Sequence, residues 1–212
     1  MTLSLYLLRH GETEASLAGG YCGRLDPDLT PIGRQMAEDF AKAYQHHPWQ
    51  DIYVSPMLRT RMTAQPLCEA AGKDMRLRDG LRELDFGDWE GKTPEEANRD
   101  YPTDYARWLV DAGWNAPTGG ERGIDVARRA LGVLHEIRRD WSAGDVLVVS
   151  HKATIRILIC ALMGIDIGSY RERVSVSVAS LATVEFQEYG PHLARLGDRW
   201  HLRESLRHRP GT

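Results

Sequence analysis

Long apolar runs, paired cysteines and a strong charge of either sign are all missing from this 212-residue chain. The longest useful apolar run, Ile157 to Met163, falls far short of the ~20 residues a membrane-spanning helix needs. The stretch from Met1 to Leu8 has no basic residue ahead of its apolar ones and soon meets Arg9 and His10, so a secretory leader is a poor reading. Cys22, Cys68 and Cys160 lie far apart and form neither a CxxC pair nor a disulfide framework. A reducing cytoplasm is the expected setting. A net charge of −3 offers no electrostatic match to nucleic acid or to an anionic membrane. His46-His47 has no third ligand at suitable spacing, so no metal site is expected. There is no internal repeat, low-complexity tract or Pro/Ser-rich linker.

What remains is ordinary globular material, 42% hydrophobic and 27% charged, which argues against disorder. The length predicts a single domain over 1–202, with an irregular excursion around 98–122 on the substrate side. A flexible basic tail is expected at 203–212.

The order of elements gives the fold class. Leu3 to Leu8 is a short apolar run that ends abruptly at Arg9-His10-Gly11, as a buried strand does. Thr30-Pro31 opens a helix, Asp51 to Val54 is a second strand, and Ser55-Pro56 repeats the cap-and-proline signal. Pro66 is expected to kink or restart that helix. Residues 75–79 read as a strand, and Thr93-Pro94-Glu95-Glu96 as a capping box. A long amphipathic helix is expected from Ile124 to Trp141. Val146-Leu147-Val148-Val149 is the clearest strand, followed by a helix from Thr154 to Met163 that stops at Gly164. Strands at Leu181 to Phe186 and Leu193 to Leu196 complete the set. Alternating strands and helices predict an α/β fold, a mostly parallel central sheet with helices on both faces.

In such sheets ligands bind beyond the carboxyl ends of the strands. Two strands end alike, one in Arg9-His10 and one in Ser150-His151-Lys152, so both histidines can meet in one pocket. Arg59 follows a third strand end near a helix start, a position suited to phosphate. Glu83, between Leu81 and Leu84, is the best carboxylate for acid–base work, since apolar company favours the protonated form. Glu12, Asp85, Asp88 and Glu90 compete with it. Lys152, Arg24 and Arg61 hint at a second acidic group on the ligand. Trp89, Trp108 and Trp114 fall near the expected substrate side.

Five ordered blocks now carry a resemblance: Leu8 to Thr13, Leu29 to Gly33, Ser55 to Ala64, Leu81 to Gly91, and Val149 to His151. Together they resemble the histidine phosphatase superfamily, the phosphoglycerate mutase-like proteins. The resemblance implies a three-layer α/β/α fold and a metal-independent phosphomonoesterase acting on a small phosphorylated metabolite, with no cofactor. His10 would be the nucleophile and form a phosphohistidine. Arg9, Arg59 and His151 would hold the phosphoryl oxygens. Glu83 would protonate the leaving oxygen and then deprotonate water. Ser16, Cys22, Gly23 and Lys152 are weaker candidates for substrate contact, and a homodimer is an open expectation. Ser16, Cys22, Asp28 and Lys152-Ala153 depart from the family's usual residues. The last departure puts in doubt a backbone contact to phosphate that glycine would offer. A cofactor-dependent phosphoglycerate mutase and a catalytically silent phosphate-binding module are the alternatives. The run Asp85 to Gly91 resembles the phosphatase branch.

Overall fold

A computed structural model describes residues 2–209. Its strands are β1 (Leu3–Arg9), β2 (Trp49–Val54), β3 (Met75–Leu77), β4 (Gly144–Ser150), β5 (Leu181–Gln187) and β6 (Gly190–Asp198). They form one sheet in the order β3-β2-β4-β1-β5-β6. β3, β2, β4 and β1 run parallel, and β5 and β6 add an antiparallel edge. The helices are α1 (Glu14–Ala18), α2 (Pro31–Tyr44), α3 (Leu58–Ala71), α4 (Pro94–Asp100), α5 (Pro102–Val110), α6 (Gly123–Asp140), α7 (Lys152–Met163), α8 (Tyr170–Arg173) and α9 (Glu204–Arg207).

The three layers follow from side-chain alternation along β1 and β4. Leu3, Leu5 and Leu7 share a core with Val146, Val148 and the inner stripe of α6, Val126, Ala130 and Ile137. Ile155 and Ile159 of α7 join the same core. Leu8, Leu147 and Val149 belong to the opposite core, with Phe40 of α2 and Leu67 of α3. A substitution such as Leu5→Ala, at a side chain with no exposed surface, is expected to cost about 2–5 kcal/mol.

The parallel arrangement sets β1, β4 and β2 side by side with their carboxyl ends on one edge. Backbone bonds tie those ends together: His10 N–H donates to Ser150 O, and Ser55 N–H to Val149 O, both at 3.0 Å. Gly11 and Gly33 then allow α2 to approach. A Cβ on Gly11 would meet Gly33 O at 2.6 Å, and one on Gly33 would meet Glu12 O at 2.1 Å.

Four expectations need correction. Ser55-Pro56 does not cap α3, because the helix starts at Leu58 and Asp26 accepts the Leu58 N–H instead. Pro66 sits inside α3, which runs on without a restart. The stretch 98–122 is not irregular throughout, since α5 occupies Pro102–Val110 and buries Trp108. The basic tail is docked as far as residue 209. Arg203 pairs with Asp39 at 2.6 Å, Leu206 is buried, and Arg209 pairs with the buried carboxylate of Glu12. Residues 210–212 of that expected tail lie outside the described ones. Among the described residues no helix is long and apolar enough to cross a membrane.

Candidate active site

The sheet edge opens into a cavity of about 420 Å³. His10, 5% exposed, leads into it from the end of β1. Its Nδ1 lies 2.8 Å from Gly11 O. A carbonyl only accepts, so Nδ1 carries the proton and Nε2 keeps its lone pair. Burial, then the charges of Arg59 and Arg9, hold this imidazole well below the usual histidine pKa, so it stays neutral at pH 7. Gly11 N–H donates to Thr63 Oγ1, whose hydroxyl donates to Arg59 O, which locks the loop after His10 to α3.

Arg9 donates to Val176 O at 2.9 Å and lines the cavity. Burial pulls its guanidinium down to about 9, and Glu83 opposes the shift, so the charge persists at neutral pH. Arg59 is 1% exposed. It donates to Leu25 O at 2.7 Å and to Cys22 O and Gly23 O at 3.2 and 3.3 Å. The loop 22–25 is thus wrapped around the Arg59 guanidinium. Glu90 holds the loop from the other side, accepting N–H bonds from Gly23, Arg24 and Leu25 and one from Phe86. Sequence reading set Glu90 aside as a competing acid, and the structure makes it the anchor of this loop.

Glu83 lines the cavity, yet its surroundings are not the apolar ones expected. Oε1 accepts from Leu84 N and Thr154 N at 2.9 and 3.1 Å, and Oε2 from Ala153 N at 3.0 Å. The carboxylate therefore sits on the N-terminus of α7, whose open N–H groups want an anion. The backbone contact expected to reach phosphate after His151 goes to Glu83, and alanine supplies it as well as glycine would. Oε2, with a single donor, keeps the freer lone pairs.

His151 departs from expectation. It has no exposed surface and is not among the cavity-lining residues. Its Nδ1 accepts from Arg59 Nε at 3.1 Å, and its Nε2–H donates to Ser55 Oγ at 2.7 Å. Both nitrogens are engaged, so the ring orients Arg59 from behind. Its centroid lies 5.3 Å from that of His10.

The weaker candidates divide. Ser16 and Cys22 line the cavity, but each has local work. Ser16 donates to Thr13 O at 2.8 Å, and Cys22 Sγ lies 3.4 Å from Leu25 O, with burial raising its thiol. Gly23 does not line the cavity; its backbone serves Arg59 and Glu90. Lys152 does line it, and burial together with Arg9 and Arg156 pulls its amine down to about 8. Arg24 turns away to Asp85, and Arg61 is exposed on α3. Trp108 reaches the cavity, Trp89 is buried behind Tyr21, and Trp114 is largely exposed beside Arg122. Sequence reading missed Arg156, Tyr170, Arg171 and Glu172, which complete the wall. The only available signal was Arg156, one helical turn beyond Lys152.

With this geometry in place, comparison with known proteins settles the family. The model of the histidine phosphatase superfamily (branch 1) matches residues 5–199. The chain belongs to that superfamily. Phosphoserine phosphatase 1 of Hydrogenobacter thermophilus is 34% identical over 203 residues, 95% of either chain. Glucosyl-3-phosphoglycerate phosphatase of Mycolicibacterium vanbaalenii is 35% identical over 173 residues, 78% of this chain and 76% of the relative. Among solved structures, Bacillus stearothermophilus YhfR aligns with a TM-score of 0.87 at 29% identity, covering 95% of this chain and all 100% of that one. A histidine-to-alanine variant of phosphoserine phosphatase from Entamoeba histolytica, solved with phosphoserine, aligns at 0.85 with 30% identity and the same coverage. The histidine phosphatase fold is thus shared over nearly the whole chain, and the named relatives are phosphatases of small phosphorylated metabolites.

Proposed function

We propose that this histidine phosphatase hydrolyses a small phosphomonoester through a phosphohistidine on His10. The observation that carries the reading is the fixed tautomer of His10: Nδ1–H donates to Gly11 O, which leaves the Nε2 lone pair free for attack near the charges of Arg59 and Arg9. Phosphoryl transfer asks mainly for positioning and for positive charge around the equatorial oxygens. Arg9 and Arg59 supply that charge, so the scheme uses no metal.

The Nε2 lone pair attacks phosphorus as the bond to the ester oxygen breaks. The scheme needs Glu83 in its acid form beside the bound phosphoryl group; Oε2 delivers that proton to the departing oxygen, and the carboxylate left behind is the form the α7 amides hold. The resulting carboxylate then takes a proton from water, which attacks the phosphohistidine. The N–P bond breaks and its electron pair returns to Nε2. His151 is a positioning residue in this scheme, holding Arg59 through Nδ1. The names of the relatives support a metabolite ester as substrate. Three free cysteines suit a cytoplasmic setting, which we propose with it.

Rapid quench with 32P-labelled p-nitrophenyl phosphate should trap an acid-labile, base-stable adduct in the wild type and none in His10→Ala. Turnover should survive EDTA and be inhibited by vanadate, which mimics pentacoordinate phosphorus. A fully active His10→Ala variant refutes the scheme. Conversion of 3-phosphoglycerate to its isomer in the presence of 2,3-bisphosphoglycerate, without net hydrolysis, would establish a mutase instead.

A further inference from the structure

The wall of the cavity is cationic beyond what a phosphoryl group needs. Lys152 and Arg156 stand one turn apart on α7, and both line the cavity. Like charges at this spacing repel. Neither has a hydrogen bond or ion pair among the described residues, and Arg156 Nε is buried without a partner. Arg171 joins them from α8, with its guanidinium 3.9 Å from the Trp108 ring centroid. That stacking fixes the plane of its fork. Its nearest carboxylate, Glu172, lies 4.0 Å away and is largely exposed.

Counting charge around the cavity makes the surplus explicit. Arg9, Arg59, Lys152, Arg156 and Arg171 line the cavity, and with Glu83 in the acid form the chemistry needs, Glu172 is the one opposing carboxylate among the lining residues. A dianionic phosphoryl group at His10 accounts for two of the four excess positive charges. Two remain, and we place them at Lys152, Arg156 and Arg171. Lys152 and Arg156 share α7 with the amides that hold Glu83, and Glu83 is the proposed proton donor to the leaving group, so their charge falls on the leaving-group side. Phe86, Trp108 and Tyr21 supply the aromatic part of the lining.

We propose that Lys152, Arg156 and Arg171 form a second anion site that binds a carboxylate on the leaving group, so that the substrate is a phosphomonoester of a small hydroxy acid. The proposal rests on the phosphatase reading above. Lys152 is the first residue to test, because it lines the cavity and has no side-chain partner among the described residues.

A matched pair of esters reads it. 3-Phosphoglycerate and glycerol 3-phosphate differ by one group, a carboxylate against a hydroxymethyl. The wild type should favour the carboxylated ester by at least about tenfold in kcat/KM. Lys152→Met should lower that ratio about tenfold, chiefly through KM, while Lys152→Arg should retain it. Melting temperatures of both variants within a few degrees of wild type show that the fold is kept, and Arg171→Met should move the ratio in the same direction. An unchanged ratio in Lys152→Met and Arg171→Met overturns the site. So does a wild type that prefers glycerol 3-phosphate, even though it hydrolyses p-nitrophenyl phosphate. Faster turnover of propane-1,3-diol bisphosphate than of 3-phosphoglycerate overturns the carboxylate assignment. Failure to hydrolyse any of these, p-nitrophenyl phosphate included, refutes the phosphatase reading itself.

Discussion

Replacing Glu83 by glutamine perturbs both the fold and the chemistry, and the two effects separate. The carboxylate is 9% exposed and accepts three backbone N–H groups. Glutamine keeps one oxygen. Placed at the Oε1 position, it still serves Leu84 N and Thr154 N, but its NH2 then faces Ala153 N–H across 3.0 Å. Two donors oppose each other, and the reverse rotamer opposes two backbone donors instead of one. A lost bond to a charged acceptor is worth about 1.5–3 kcal/mol. A loss near 2 kcal/mol lowers the melting temperature of a chain this size by about 4–8 °C. The chemical effect depends on the leaving group. An alkoxide needs its proton in the transition state, worth roughly 10²–10⁴-fold, and p-nitrophenolate does not. Glu83→Gln should therefore lose most of its kcat/KM on glycerol 3-phosphate and much less on p-nitrophenyl phosphate. The latter should show a burst of p-nitrophenolate and then slow turnover, because water attack has also lost its base. Equal losses on both esters would remove Glu83 as the acid. An unchanged melting temperature would refute the hydrogen-bond geometry at α7.

Glu90→Ala frees the amides of Gly23, Arg24 and Leu25 and should raise KM about tenfold with a smaller change in kcat, since the loop it holds steadies Arg59; steady-state kinetics on p-nitrophenyl phosphate checks this. Acidification should destabilise the fold. Burial lowers the pKa of His10 and His151 well below 6.5 and that of His201 to about 4, so below pH 6.5 the unfolded chain binds protons that the folded chain refuses. Each such group removes up to about 1.4 kcal/mol per pH unit in its window, and urea midpoints at pH 6.5 and 5.0 should show the fall. Equal midpoints would contradict it. Arg209→Ala leaves the 1%-exposed Glu12 without its ion-pair partner. It should lower the midpoint of a denaturant titration, because the buried carboxylate then keeps Thr30 Oγ1 as its side-chain donor and no cation; an unchanged midpoint would contradict the pairing.

The parts legible in the sequence were those written locally. A strand that stops at Arg9-His10, and another that stops at Ser150-His151, announces itself through a break in apolar pattern. Parallel pairing then sets both ends on one edge. The cap at Thr30 and the capping box at Thr93 were equally readable. Features set by distant partners were not. The flanking leucines said nothing of Glu83's real neighbours, because the amides around it come from α7, about seventy positions along. Arg171 reaches the cavity through α8, a four-residue turn with no periodicity to read. The tail looked free because its counter-charges, Asp39 and Glu12, lie near the other end of the chain.

The position of β1 bears on how the protein is made. β1 precedes β4 and β5 in the sequence by more than 130 residues, yet it lies between them in the sheet. At about 5–20 residues per second, Leu3–Arg9 waits on the order of ten seconds or longer before either neighbour exists. During that interval an apolar strand with two open edges has nothing native to pair with, and it is a natural client for a chaperone. A chain that stops before β5 cannot give β1, and His10 at its end, the full ladder. The strand that carries His10 therefore reaches its final place only after about 180 residues have been made.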